Sequence, residues 1–170
     1  AHDVDAMLIS MPENRRYLSG FTGSAGCLLV TASDAILATD FRYIEQGGRQ
    51  SPDYRVHRIG SGSDWLADLA SESNLSRIGY ESDHLTVAGL TAFEDAIQED
   101  ATASPTKLIP TTGIVEIMRA VKDTTELNLL ERAVVIADDA LGRVSPAIEP
   151  GMTEKQVAWD IEKAMRELGA

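Results

Sequence analysis

Short continuous apolar runs alternate along this chain with longer stretches in which apolar residues return every third or fourth position. The first rhythm is that of strands and the second that of amphipathic helices. It predicts strands over 6–10, 27–31, 35–39, 54–59, 77–81 and 107–109, with helices over 12–18, 41–50, 64–72 and 86–98. Such alternation predicts an α/β layer structure. Thr31-Ala32-Ser33-Asp34 separates two apolar runs by a short polar turn, so 27–31 and 35–39 are expected to pair as an antiparallel hairpin and make the sheet mixed. Ala1 to Asp5 reads as the end of a helix and its turn.

From Asp123 the pattern changes. Asp123-Thr124-Thr125-Glu126 is a capping box, in which a side-chain acceptor and a carboxylate three residues on satisfy the first free amides of a helix. The helix it opens carries Leu127, Leu130, Val134, Ala137, Leu141 and Val144 as one stripe, read as a packing face for a neighbouring domain. Pro150-Gly151 forces a turn, and Thr153-Glu154-Lys155-Gln156 opens a second helix with Val157, Ile161, Ala164 and Leu168 on its inner side. Two apolar helical faces without a sheet of their own predict a partner beyond these residues, and self-association of the isolated chain.

Composition narrows the function classes. The 170 residues, 44% hydrophobic, allow one good core and an extension to it. A net charge of −12 spread over the whole length makes nucleic acid and anionic membrane poor partners. Cys27, the single cysteine, sits in the apolar run Cys27-Leu28-Leu29-Val30 and is expected to be a buried, inert thiol. No stretch approaches the roughly 20 apolar residues of a membrane span, and the simplest localisation is cytoplasmic.

Candidate chemistry is sparse. His2, His57 and His84 are scattered, with no second histidine at helical spacing to converge on a metal ion. Thr22-Gly23-Ser24-Ala25-Gly26 resembles a nucleophile elbow but has threonine where the first glycine belongs. Gly20, Gly23 and Gly26 match neither a dinucleotide fingerprint nor a P-loop, and instead predict a tight loop with positive φ angles before the strand at Cys27. Gly60-Ser61-Gly62-Ser63-Asp64 reads as a loop capping the helix at Trp65. What remains is Asn14, Arg15, Arg16 and Tyr17, the 20–26 loop, and Asp40, Arg42 and Tyr43 at a strand end. Exposed arginines can grip a carboxylate bidentately; for Asp40 and Arg42 the competing expectation is a local cap and salt link.

Five strings, NRRYLSGFTGS, LATDFRYIEQ, IGYESDHLTVAGL, VKDTTELNLLERAVVIADDAL and EPGMTEKQVAWDIEKAMRELGA, occur in order over nearly the whole chain. Together they resemble the N-terminal half of the creatinase, prolidase and aminopeptidase P family. The resemblance implies a mixed-sheet α/β domain of ribonuclease-H-like topology with helices on both faces, spanning 1–122. Residues 123–170 would be a linker helix and the first helix of an incomplete pita-bread catalytic domain. It implies an Xaa-Pro metallopeptidase whose two aspartates, histidine and two glutamates hold two manganese, cobalt or zinc ions, all beyond these 170 residues. No catalytic residue or metal ligand is then expected here, and the chain alone should be inactive. The implied partners are the protein's own C-terminal catalytic domain, a second copy in a homodimer, and a proline-containing peptide. Phe21, Thr22, Gly23 and Ser24 become the loop that reaches toward the neighbouring subunit's cleft and limits substrate length, where creatinase itself is expected to place an arginine. A non-catalytic peptide-binding pseudo-peptidase and a creatinase-type amidinohydrolase are the alternatives.

Overall fold

A computed structural model describes residues 3–99 and 106–170, and the chain divides into two compact units, Ala1–Arg119 and Ala120–Ala170. The first is built on six strands: β1 (Ala6–Ile9), β2 (Cys27–Thr31), β3 (Ala35–Thr39), β4 (Arg55–Arg58), β5 (Arg77–Glu81) and β6 (Lys107–Thr111). Their order across the sheet is β4-β3-β2-β1-β5-β6. The predicted hairpin is present: β2 pairs antiparallel with β3 and with β1, whereas β3–β4, β1–β5 and β5–β6 are parallel. The run β3-β2-β1-β5-β6 is the ribonuclease-H-like arrangement, and β4 extends it beyond β3.

Residue alternation along the central strands divides the core in two. Leu8, Leu29, Ile36, Ala38 and Ile78 point to one face, against α3 (Asp64–Glu72) and α4 (Val87–Glu99), which contribute Trp65, Leu66, Leu69, Phe93 and Ile97. Ile9, Leu28 and Leu37 point to the other, where Phe21, Leu18, Tyr43 and Val115 cover them from α1 (Pro12–Ser19), the segments near α2 (Ile44–Gln50), and α5 (Ile114–Ala120). Leu8, Leu28, Leu29, Ile36, Leu37 and Ile78 are fully buried, each contributing about 1.5–3 kcal/mol by leaving water.

Several boundaries differ from the sequence-based expectation. Strand β6 runs through Pro110 to Thr111 because it lies at the sheet edge, where a missing N–H costs no ladder bond. Helix α5 was not predicted: it is seven residues long, and of the helix only Val115 is buried. Asp3 and Val4 carry no helix, and His2 lies outside the described residues, as does the stretch 100–105. Helix α3 starts at Asp64 as expected, but the Ser63 side chain makes no capping bond.

The second unit is a pair of helices, α6 (Thr124–Val144) and α7 (Glu154–Glu167), and both capping boxes form. The Glu126 amide donates to Asp123 Oδ1 at 2.8 Å and the Asp123 amide to Glu126 Oε2 at 2.9 Å. Thr153 and Gln156 exchange the equivalent bonds at 2.8 and 3.3 Å. Both apolar faces were expected to await a partner, but the two helices cover each other in part: Ala140 and Val144 of α6 and Ala164 of α7 are buried, with Val157, Ile161, Met165 and Leu168 packed on them. Leu127, Leu130, Val134 and Leu141 remain 49–58% exposed.

Candidate functional site

Asn14, Arg15 and the 20–26 loop come together around the first helix. Helix α1 lacks a side-chain N-cap; instead Glu81, at the end of β5, accepts the amides of Ser10 and Met11, each at 2.7 Å. A carboxylate on the first turn also suits the helix dipole. Asn14, fully buried, donates through Nδ2 to Glu81 at 2.6 Å and to Glu116 at 2.5 Å, while its Oδ1 accepts from Arg119 Nη1 at 2.7 Å. The hydrogen bond from Asn14 holds the Glu116 carboxyl below its ordinary range. Asn14 thereby ties α1 to β5 and α5, with both of its amide protons committed.

Arg15 is also buried, at 3% exposure. Nη2 donates to the Gly23 carbonyl at 2.6 Å, Nη1 donates to the Gly26 carbonyl, and the guanidinium carbon lies 5.4 Å from the centre of the Phe21 ring. Burial lowers its pKa. No carboxylate pairs with it among the described residues, so the exposed, carboxylate-gripping arginine expected from the sequence is not Arg15. Arg16 and Tyr17, next along α1, do face solvent.

The loop that Arg15 spans is fastened at every residue. Phe21 is fully buried and meets Tyr43 edge-on at 5.8 Å. The Thr22 amide donates to Gln50 at 3.0 Å and its hydroxyl accepts from Gln46 and Gln50, each at 3.0 Å. Ser24 and Tyr43 share a hydroxyl–hydroxyl bond of 2.7 Å, which occupies the hydroxyl that a nucleophile elbow would leave free for a base. Thr39 Oγ1 donates to the Ala25 carbonyl at 2.7 Å. Gly20 and Gly26 take φ of 74° and 144°, the positive angles expected. Gly23 has ordinary φ, and a Cβ there would run into the Phe21 ring. Pro12, Glu13, Arg16, Thr22 and Gly23 line an open groove of about 220 Å³ above Arg15 and Phe21.

Asp40 caps the 3-10 turn Phe41–Tyr43, accepting the Arg42 amide at 2.9 Å and its Nη2 at 2.7 Å. This is the local cap and salt link, and the hydrogen bonds hold the Asp40 carboxyl low. The Arg42 guanidinium in turn lies 5.2 Å from the Tyr43 ring centre. A second open groove of about 460 Å³ lies at the ends of β3 and β4, between Asp40, Phe41, Arg42 and the segment Arg58–Ser61.

Among the described residues no three His, Cys, Asp or Glu side chains converge as a metal ion requires, so the metal pair implied by the resemblance does not fit this site. Cys27 is half-buried rather than buried as expected, and desolvation pushes its thiol pKa up to about 11. The supports missed from the sequence are Glu81, Glu116, Arg119, Thr39, Gln46 and Gln50. The i, i+4 spacing of Gln46 and Gln50 on one helix was the available signal.

Comparison with known proteins places this architecture. The family model for the creatinase/prolidase N-terminal domain matches residues 1–121. The chain belongs to that family. Among its relatives is a protein of Bacillus subtilis (strain 168) named uncharacterized peptidase YqhT, 36% identical over 168 residues, which cover 98% of this chain and 46% of the relative. The Xaa-Pro dipeptidase of Bacillus anthracis superposes with a TM-score of 0.89 at 34% identity, over 98% of this chain and 45% of that one. The isolated N-terminal domain of the cytoplasmic peptidase PepQ from Mycobacterium tuberculosis H37Rv, 45% identical, superposes with a TM-score of 0.61 over 68% of this chain and 88% of its own. The chain thus spans under half the length of the longer relatives. Among the described residues no helix is long and apolar enough to cross a membrane.

Proposed function

We propose that this chain is the N-terminal, substrate-gating and dimer-forming portion of a cytoplasmic Xaa-Pro peptidase of the dipeptidase or aminopeptidase P type. Residues 1–122 form the gating domain, and 123–170 form the linker helix and first helix of a catalytic domain that supplies the bond-breaking groups. The observation that carries this reading is the likeness, over 98% of this chain, to an Xaa-Pro dipeptidase and an X-Pro aminopeptidase about twice as long.

In this role Thr22, Gly23 and Ser24 present the wall that a proline-containing peptide meets, and Phe21 supports them from below. A fixed wall contributes by excluding long chains and restricting how a bound peptide lies, which is where positioning affects rate. The two divalent ions of manganese, cobalt or zinc type belong to the catalytic domain, and no residue described here takes part in holding them. Asp40, Arg42, Tyr43 and Arg16 are candidates for the dimer surface.

The test compares the 170-residue chain with a protein extended to the relatives' length. Both are assayed with manganese against an Xaa-Pro dipeptide and an Xaa-Pro-initiated tripeptide, and sized by light scattering. Hydrolysis by the longer, dimeric protein alone is the expected result. Activity of the short chain overturns the reading. Peptide binding without hydrolysis by the longer protein identifies a pseudo-peptidase, and creatine hydrolysis an amidinohydrolase.

A further inference from the structure

We propose that Arg15 is a positioning residue: its buried guanidinium fixes the shape of the Phe21–Gly26 loop, and through that loop sets the substrate-length limit. The second half of this inference rests on the gating role proposed above.

The geometry departs from that of an ordinary buried arginine, which holds a carboxylate. Arg15 instead spends its fork on two main-chain carbonyls of one loop, Gly23 and Gly26, eight and eleven residues further along the chain. The first anchor, Gly23, lies against the ring of Phe21, which sits under the same guanidinium. Carbonyls carry no sequence information, so these bonds specify backbone shape and little else. Of the loop's remaining ties, those from Thr22 to Gln46 and Gln50 and from Ser24 to Tyr43 lie on its exposed side, while buried Thr39 holds the Ala25 carbonyl and Ser19 the Phe21 amide from within. Arg15 braces the inner side at two further points, Gly23 and Gly26, from a side chain that is 3% exposed. A loop held at each residue in this way is a preformed wall and not a lid: it discriminates by fixed shape, and loosening it should relax discrimination by length. Lysine is a poor substitute, because one ammonium cannot reproduce the planar fork.

Two measurements test this on the Arg15→Met and Arg15→Lys variants. The first is amide hydrogen exchange. Loss of the brace should speed exchange of amides 21–26 by ~10-fold or more in Arg15→Met and less in Arg15→Lys, with β1 and β5 still protected. The second, on the protein extended to the relatives' length, is the ratio of kcat/KM for an Xaa-Pro dipeptide over that for a longer Xaa-Pro-initiated peptide. It should fall by ~5-fold, carried mainly by KM for the longer peptide.

Unchanged loop exchange in Arg15→Met, or an Arg15→Lys protein indistinguishable from the parent, overturns the brace. Faster exchange with an unchanged length ratio overturns the specificity role. If the extended parent protein cleaves no Xaa-Pro bond, the proposed function fails while exchange still decides the brace. Should Arg15→Met fail to fold, Arg15→Lys decides the brace: faster exchange of amides 21–26 than in the parent supports it, and unchanged exchange overturns it.

Discussion

Arg15 and Leu130 stand in reversed environments. In Ala1–Arg119, polar side chains are taken out of water: Asn14 is 0% exposed, Arg15 3% and Glu81 8%. In Ala120–Ala170, Leu127, Leu130, Val134 and Leu141 stay about half in solvent. The first unit encloses a sheet between two layers of helices, which makes enough core to bury polar groups that fix shape. Each such group must be hydrogen-bonded or it destabilises the fold. The second unit is one helix pair with three buried apolar residues, held locally by its caps. One region has its packing completed within itself and uses the surplus for precision; the other leaves an apolar stripe uncovered.

The sharpest test of that contrast is a pair of leucine truncations. Leu8→Ala, in the centre of the sheet, should lower unfolding free energy by about 3 kcal/mol, whereas Leu130→Ala should change it by less than about 0.5 kcal/mol. Urea denaturation of both measures the gap, and equal losses would abolish the distinction. The next effect is that of Asn14→Ala, which leaves Glu81, Glu116 and Arg119 without their shared partner and should cost about 2 kcal/mol. Asp123→Ala removes one half of a capping box and should cost about 1 kcal/mol, read as lost helicity near the start of α6.

The smallest effect is with pH. The Glu116 carboxyl, ordinarily near 4.5, is held lower in the folded protein, chiefly by Asn14. A depressed carboxyl contributes stability that is complete above its unfolded pKa and is lost as pH falls through its folded one. Denaturation midpoints should therefore decline as pH drops below about 4.5, and that decline should be shallower in Asn14→Ala. An identical pH profile in parent and variant would remove Asn14 as the cause.

How much was legible follows from sequence separation. The strands at 27–31, 35–39 and 77–81 and the helix at 64–72 coincide with the observed elements, since apolar spacing and turn residues are local. Both capping boxes were visible because their partners stand three residues apart. Arg15 looked like a surface arginine because nothing adjacent to it shows that Gly23 and Gly26 fold back over its side chain. Asn14 gave no sign of its role because Glu81 and Glu116 lie 67 and 102 residues away.

The amino-acid order thus determined by itself the alternation of strands and helices, the hairpin, the capped helices of the second unit and the family. Those features rest on interactions within a turn or two of chain, or on motifs that recur in sequence. Tertiary structure alone decided that Asn14 and Arg15 are interior braces, that Phe21 supports the loop from beneath, and that α7 covers Val144 of the α6 stripe but not Leu127, Leu130, Val134 or Leu141. Each of those outcomes depends on which distant segments the sheet and the helix pairing bring together, and a one-dimensional pattern does not carry that information.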